Sequence, residues 1–285
     1  MSRAAIIGIH GLGNKPAPDI LECWWKTSIL EGLSRHAAGQ KFKVRFRLVY
    51  WADLLYPKPL EVDSLLDPYT VAEGSGPLPR AGLSVRMVTS ARVRGGLARA
   101  LETFSRVRLG QRVVNGTVES KMPDLHLYNS DERLREALQA RLIKRLRSAR
   151  RWRRKIMLIA HSMGSIVAYD VLRDAASSLK GLEIEHFVTM GSPLGLSDLK
   201  TVFDGPRLVP ECVARWTNLS DPKDPVSSWD IALCDNYPPN SRGVTVSDQL
   251  VVNTYVSPAG KPNAHKIYGY LRTPELSELI AAFVR

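Results

Sequence analysis

Hydrophobic and polar positions along the chain follow two alternating periods, which predict strands and helices in turn. Short apolar runs and two-residue alternation predict strands, whereas apolar residues spaced by three and four predict helices. Strands are predicted at residues 4–10, 42–51, 156–160, 184–190, 212–219 and 249–255. Helices are predicted at residues 19–33, 130–150 and 165–177, and from 274 to the C-terminus. Strands that alternate with helices favour an α/β fold with a mostly parallel central sheet flanked by helices.

Two of these helices carry explicit start signals. Ser130 is predicted as the N-cap of the helix at 130–150, with acidic residues following in its first turn. Thr273 and Pro274 are predicted as the cap and first residue of the last helix. Both helices have one apolar stripe, as expected for a face packed on a sheet.

Residues 53–127 interrupt the alternation. Their first part is rich in proline, glycine and serine, and residues 83–114 place apolar side chains at helical spacing among arginines. We interpret 53–127 as an inserted lid or cap segment within a single α/β domain that spans 1–285. The sequence shows no internal repeat and no separable second domain.

Composition excludes several classes of protein. The 285 residues are 44% hydrophobic and 24% charged, which argues against wholesale disorder. No run approaches the ~18 apolar residues of a membrane span, and the N-terminal apolar run lacks a cleavage-site pattern. The three cysteines are widely spaced and form no C-x-x-C motif. These features predict a cytoplasmic protein, with peripheral membrane association as a further option.

The net charge of +12 is concentrated in two segments. Residues 80–112 contain eight arginines and one acid, and residues 141–155 contain nine basic residues and no acid. For 141–155 we favour the solvated outer face of a helix. The mixture of arginines and apolar residues at 83–114 predicts either contact with an anionic membrane surface or a structural cap with a basic rim. Nucleic acid is a weaker candidate, since no binding motif accompanies the charge.

The stretch at 155–169 joins a buried strand to a helix with almost no connection. Ser162 lies at the turn, and the residues two positions away on either side, Ala160 and Gly164, are small. Such a turn leaves no room for bulky neighbours and holds the serine hydroxyl out above the sheet edge. The alternative is a serine that simply caps the following helix.

Four motifs at predicted strand ends together resemble the α/β-hydrolase superfamily, in its lipase and esterase branch. They are the Ala-His-Ser-Met-Gly turn around Ser162, His10-Gly11 after the first strand, Gly-Ser-Pro-Leu-Gly at 191–195, and Asp224-Pro225-Val226 followed by His265. The resemblance covers residues 4–51 and 130–285, and the chain order of nucleophile, acid and histidine agrees with it.

The resemblance implies a serine hydrolase of carboxylic esters, preferably lipid-like ones, that works through an acyl-Ser162 intermediate. Ser162 would be the nucleophile, His265 the general base and Asp224 the acid that orients it. The backbone N–H groups of Leu12 and Met163 would form the oxyanion hole. No metal and no organic cofactor is expected. Thioesterase, acyltransferase or peptidase chemistry on the same triad remains an alternative, as does a catalytically silent fold that binds a membrane or a partner.

The resemblance leaves the acid open among three residues. Asp224 is preferred because it directly precedes Pro-Val, but Asp221 follows the same strand and Asp198 follows the preceding one. His265 is preferred as the base because it lies between the last strand and the last helix. The other five histidines are expected to be structural: His10, His36, His126, His161 and His186.

Overall fold

The structure is a computed structural model that describes residues 4–37, 42–62, 76–88, 123–152, 154–196, 203, 205–227 and 230–285. Most of the insertion, at 63–75 and 89–122, lies outside these ranges, and so does Asp198. The interpretation of 53–127 as a lid, and the membrane contact assigned to it, therefore remain predictions.

A six-stranded sheet with all strands parallel forms the centre of the fold and confirms the predicted α/β class. The order of strands across the sheet is β2-β1-β3-β4-β5-β6. The strands are β1 Ala4–Ile9, β2 Phe46–Val49, β3 Lys155–His161, β4 His186–Met190, β5 Trp216–Ser220 and β6 Val246–Leu250. The helices are α1 Pro18–His36, α2 Pro123–Ser130, α3 Glu132–Arg151, α4 Met163–Arg173, α5 Ala175–Ser178, α6 Ile267–Leu271 and α7 Pro274–Val284.

Helices cover both faces of the sheet because successive side chains of a strand point to opposite faces. Leu158 and Ala160 of β3 pack in one hydrophobic cluster with α3 and α4, whereas Met157 and Ile159 pack in the other with α1, α6 and α7. The stripe of α3 is buried against the sheet at Leu138, Leu142 and Leu146. The basic side chains of α3 lie mainly on its exposed outer side.

Several boundaries predicted from the sequence were wrong, including the start of β5, at Trp216 instead of 212, and the end of α4, at Arg173 instead of 177. Ser130 does not cap α3, because residues 123–130 are themselves helical and Asp131 is the N-cap, accepting the N–H of Leu134 at 3.0 Å. Strand β2 is shorter than predicted, at 46–49. Strand β6 spans 246–250 instead of 249–255. Thr273 caps α7 as predicted, with its side chain accepting the N–H of Leu276.

All six strands run in the same direction, so their carboxyl ends meet at one edge of the sheet. The loop after β1, the turn after β3, and the loops after β4, β5 and β6 therefore converge there. None of the helices in the described ranges is long and apolar enough to cross a membrane.

Candidate active site

Ser162 lies in a strained turn between β3 and α4. Its φ of 52° makes it the one non-glycine residue with positive φ in the described part of the chain. A Cβ on Gly164 would come within 2.5 Å of the His10 carbonyl oxygen, so the start of α4 packs directly on the end of β1. The Ser162 side chain makes no capping hydrogen bond to α4, which removes the alternative of a simple cap. Strain of this kind persists only where the surroundings enforce it.

The Ser162 hydroxyl faces His265, which lies on the loop between β6 and α6. Oγ of Ser162 is 3.0 Å from Nε2 of His265, within hydrogen-bond reach. Nδ1 of His265 is 2.9 Å from both carboxylate oxygens of Asp224. With the imidazole proton on Nδ1 facing the carboxylate, Nε2 is free to accept the serine proton.

Asp224 is the predicted acid that the structure brings to His265. It is fully buried, and its carboxylate also accepts the Tyr270 hydroxyl at 2.7 Å and the N–H of Val226 at 2.8 Å. Asp221 lies in the same turn but accepts the backbone N–H groups of Asn253, at 2.6 Å, and Lys223, at 2.7 Å. Asp221 therefore holds two loops together and does not contact the imidazole. Burial raises the pKa of its carboxyl group.

The loop after β1 lies directly against Ser162. A Cβ on Gly11 would come within 2.7 Å of the Ser162 Cβ, which requires glycine there. His10 fixes the shape of this loop: its Nδ1–H donates to the Gly11 carbonyl at 2.8 Å, and its Nε2 accepts the N–H of Trp51 at 3.1 Å. The His10 ring is stacked on that of Trp51, and burial lowers the pKa of His10 to about 3, so the ring stays neutral.

The two predicted oxyanion donors flank Ser162 from different elements. Leu12 belongs to the loop after β1, and Met163 is the first residue of α4. Neither backbone N–H donates a hydrogen bond to any residue in the described ranges. Unpaired N–H groups beside a reactive hydroxyl are the arrangement that can receive a developing oxyanion.

Part of the chain matches a known protein family. The family model of the PGAP1-like alpha/beta domain matches residues 126–266, which include Ser162, Asp224 and His265. The matched residues therefore belong to a lipase/esterase-like α/β-hydrolase family, and the six-stranded parallel sheet is consistent with that fold. A search of curated proteins finds no significant match.

Tyr270 and Asn253 support the contacts of His265 and Asp224, and the sequence analysis missed both. The Tyr270 hydroxyl donates to Asp224 and accepts the N–H of Asp221 at 3.1 Å, which links the two acids. The Asn253 amide donates to the carbonyls of Ala264, at 2.7 Å, and Lys266, at 2.8 Å. His265 lies between those two residues, so Asn253 holds the main chain on both sides of His265.

Gly191 explains why the motif after β4 begins with glycine. Its φ is +52°, and a Cβ there would lie 2.7 Å from Oδ2 of Asp224 and 3.2 Å from Nδ1 of His265. Any side chain at this position would enter the contact between acid and imidazole. Ser192, the next residue, accepts the N–H of Leu194 at 3.2 Å and is 2.7 Å from the hydroxyl of Ser165 in α4. The motif thus holds β4 against the start of α4.

Asp124 in the first turn of α2 fastens the loop after β1 from outside. Its carboxylate accepts the N–H of Gly13 at 2.6 Å and the Tyr56 hydroxyl at 2.7 Å. Lys15 closes the same loop on itself, with Nζ donating to the carbonyls of Leu12 at 2.5 Å and Gly13 at 2.9 Å. The sequence contained no local signal for these contacts, since Gly13 and Asp124 are 111 residues apart.

Two of the remaining histidines, His161 and His186, are buried and hydrogen-bonded to neighbouring residues. His161 donates from Nε2 to the carbonyl of His265 at 2.9 Å, and burial lowers its pKa well below the ordinary value. His186 lies 2.8 Å from the Thr217 hydroxyl, and burial lowers its pKa to about 4. His36 lies at the end of α1, and His126 is exposed on α2.

A cleft of about 420 Å³ opens above Ser162. One part of its lining is apolar and includes Trp24, Tyr268 and the partly exposed Leu60 and Val62. The polar part consists of Asn14, Lys15, Glu61, Asn263 and Lys266, besides the histidines and the serine. No cluster of three or more His, Cys, Asp or Glu side chains suited to a metal ion occurs among the described residues.

Proposed function

We propose that this protein is a serine esterase that cleaves carboxylic esters through an acyl-Ser162 intermediate. The observation that carries the proposal is the continuous chain of contacts from Ser162 through His265 to Asp224, at 3.0 and 2.9 Å. A serine hydroxyl is a weak nucleophile near neutral pH and needs a base at this distance to accept its proton.

Acylation would begin when Oγ of Ser162 attacks the ester carbonyl carbon and its proton moves to Nε2 of His265. The carbonyl oxygen becomes an oxyanion, which the N–H groups of Leu12 and Met163 are placed to bind. Collapse of this tetrahedral intermediate breaks the bond to the alkoxy oxygen. That oxygen takes the proton from Nε2, and the alcohol leaves while the acyl group stays on Ser162.

Deacylation would repeat these steps with water. His265 accepts a proton from the water as its oxygen attacks the acyl carbon, and then returns that proton to Oγ of Ser162 as the acid leaves. Throughout, Asp224 holds the imidazole in the tautomer with its proton on Nδ1 and stabilises the imidazolium that forms twice per turnover. The cycle uses no metal and no organic cofactor.

Lipid-like esters are the proposed substrates. The apolar part of the cleft, with Leu60 exposed by 49% and Val62 by 44%, offers a surface for an acyl chain next to Ser162. Esters of 4-nitrophenol with acyl chains of increasing length test this directly. If turnover rises from acetate to longer chains, the apolar wall binds the acyl group, and a preference for acetate would contradict that assignment.

A fluorophosphonate probe separates the proposed enzyme from a catalytically silent fold. Wild-type protein should be labelled on Ser162 and Ser162→Ala should not, while Ser130→Ala, an exposed serine on α2, should be labelled as the wild type is. Absence of labelling in the wild type would favour a membrane- or partner-binding role for the fold.

The choice of acid is tested by a pair of matched variants. Asp224→Asn should lower kcat by up to ~10⁴, because an amide favours the wrong tautomer of His265. Asp221→Asn should mainly lower the melting temperature, since this carboxylate accepts two backbone N–H groups and makes no contact with the imidazole. The reverse pattern would reassign the acid to Asp221.

A further inference from the structure

Lys266 directly follows His265 and lines the cleft above Ser162. Its ammonium group lies over two aromatic rings, 5.9 Å from the ring centre of Tyr255 and 5.7 Å from that of Tyr268. Aromatic faces hold a cation in place without neutralising its charge. The position of this charge at the cleft is therefore built into the fold.

The charge of Lys266 has no counter-charge in the described part of the chain. No carboxylate there lies within 4.0 Å of its ammonium group, and that group donates no hydrogen bond to a described residue. Burial lowers the pKa of Lys266, which reflects the cost of holding the charge away from water. Glu61, the one acid that lines the cleft within the described ranges, is exposed and forms no ion pair with it.

A second lysine in the same cleft adds to this unbalanced charge. Burial and the nearby Lys266 lower the pKa of Lys15 to about 8. The carboxylate of Asp124, which accepts the N–H of Gly13, offsets part of the charge of Lys15, whereas none of the described acids raises the pKa of Lys266. The two ammonium groups are close enough to repel each other, and the charge of Lys266, which pairs with no described carboxylate, makes its side of the cleft electropositive.

The ammonium groups of the two lysines differ in their hydrogen bonds. The ammonium group of Lys15 donates hydrogen bonds to the carbonyls of its own loop, at Leu12, Gly13 and Asn14. The ammonium group of Lys266 donates to no residue in the described ranges, so its donors can serve a bound molecule. Lys266 is therefore the contact group for a ligand, and Lys15 contributes mainly through its charge.

From this arrangement we infer that the ester cleaved at Ser162 carries an anionic group, a phosphate or a carboxylate, which Lys266 binds within the cleft. Together with the apolar wall at Leu60 and Val62, the site suits an amphiphilic anionic ester. The inference rests on the proposed esterase function and adds the charge of the substrate to it.

Two matched pairs of esters test the inference, because the anion could belong to the acyl part or to the alcohol part. The first pair is mono-4-nitrophenyl adipate and its methyl ester, which differ only in an acyl-side carboxylate. The second pair is 1-butyrylglycerol 3-phosphate and 1-butyrylglycerol, which differ in an alcohol-side phosphate. In at least one pair, wild-type kcat/KM should be ~10- to 100-fold higher for the anion, the range expected for one charge-assisted contact.

Variants at Lys266 assign the preference to this side chain. Lys266→Gln should reduce the ratio of kcat/KM for the anionic ester to kcat/KM for its neutral partner to about threefold or less, and Lys266→Arg should preserve that ratio. Lys261→Gln, which removes an exposed lysine from the same loop outside the cleft, should behave as the wild type does. If Lys266→Gln does not fold, the inference can still be contradicted in two ways. The wild type could lack the preference for the anion, or Lys266→Arg could lose it.

The outcomes separate the inference from the proposed function. If the wild type hydrolyses neutral esters and favours the anion in neither pair, the inference fails and the esterase stands. If the preference survives in Lys266→Gln, Lys266 is not the contact group and the inference fails as well. If no ester of either pair is hydrolysed and no fluorophosphonate labels Ser162, the proposed function fails and the inference falls with it.

Discussion

Replacing Gly191 by alanine should disable the site with a single methyl group while leaving the fold intact. The added Cβ would lie 2.7 Å from Oδ2 of Asp224, where ordinary contacts begin near 3.4 Å. The carboxylate would have to move by about 0.7 Å, which would stretch its 2.9 Å contact with His265 to the limit of a hydrogen bond. The same methyl group would press on the imidazole, since Nδ1 of His265 is 3.2 Å from it.

Two effects of the Gly191→Ala substitution must be separated. Alanine at a φ of +52° costs ~1–2 kcal/mol in conformational energy wherever it occurs. The loss of orientation at His265 is specific to this position and should lower kcat/KM by ~10²–10⁴, approaching the loss of the acid itself. Gly243→Ala is the matched control, because Gly243 has a φ of +75° and nothing lies within 4 Å of an added Cβ.

The assay is hydrolysis of 4-nitrophenyl butyrate together with a thermal melt for each variant. Both alanine variants should show similar melting temperatures somewhat below that of the wild type. Gly243→Ala should retain wild-type kcat/KM, and Gly191→Ala should lose most of it and react slowly with fluorophosphonate. Activity of Gly191→Ala within threefold of Gly243→Ala would refute the reasoning that this glycine keeps space for the contact between acid and imidazole.

Two further predictions concern the supports of the site and the buried histidines. Asp124→Ala should lower kcat ~10- to 100-fold with little change in KM, because the N–H of Gly13 loses its acceptor and the loop after β1 loosens. Asp124→Asn keeps an acceptor and should retain most of the wild-type kcat. Equal losses of kcat in both variants would contradict this role. Burial lowers the pKa of His186 to about 4, so its imidazole stays neutral in the folded protein above that pH. In the unfolded chain the same imidazole takes up a proton below about pH 6.5. The free energy of unfolding therefore falls as the pH drops from about 6.5 to about 4. At pH 5 the loss is about 2 kcal/mol, and urea titrations at pH 7 and pH 5 should show a smaller drop for His186→Gln than for the wild type or for His126→Gln, an exposed control.

Local patterns sufficed to predict the sheet and the position of Ser162, because strand alternation and small residues at a tight turn are properties of neighbouring residues. The position of β6 shows where such patterns fail. Val251 and Tyr255 are buried and alternate as strand residues do, but the N–H of Asn253 donates to the side chain of Asp221 and not to a neighbouring strand. The alternation therefore predicts which side chains are buried, but it does not predict which acceptor each backbone N–H bonds to.

The contacts that the sequence could not predict are long-range ones. Asp221 and Asp224 lie three residues apart in one turn, and both are buried. Their different tasks are set by Tyr270 and Asn253, which approach from later segments of the chain. Neither partner belongs to a motif, so the choice between the two acids depended on resemblance until the structure showed which carboxylate faces His265.

The range matched by the family model divides the site into two parts. Residues 126–266 contain Ser162, Asp224 and His265, so the match bears on the groups that form the proposed triad. The loop at 10–15, the apolar wall at Leu60 and Val62, and the clamp at Asp124 lie outside that range. The apolar wall and Lys266, which itself lies within the matched range, are the residues proposed to select the substrate, so substitutions there should change substrate preference while the proposed triad is left unchanged.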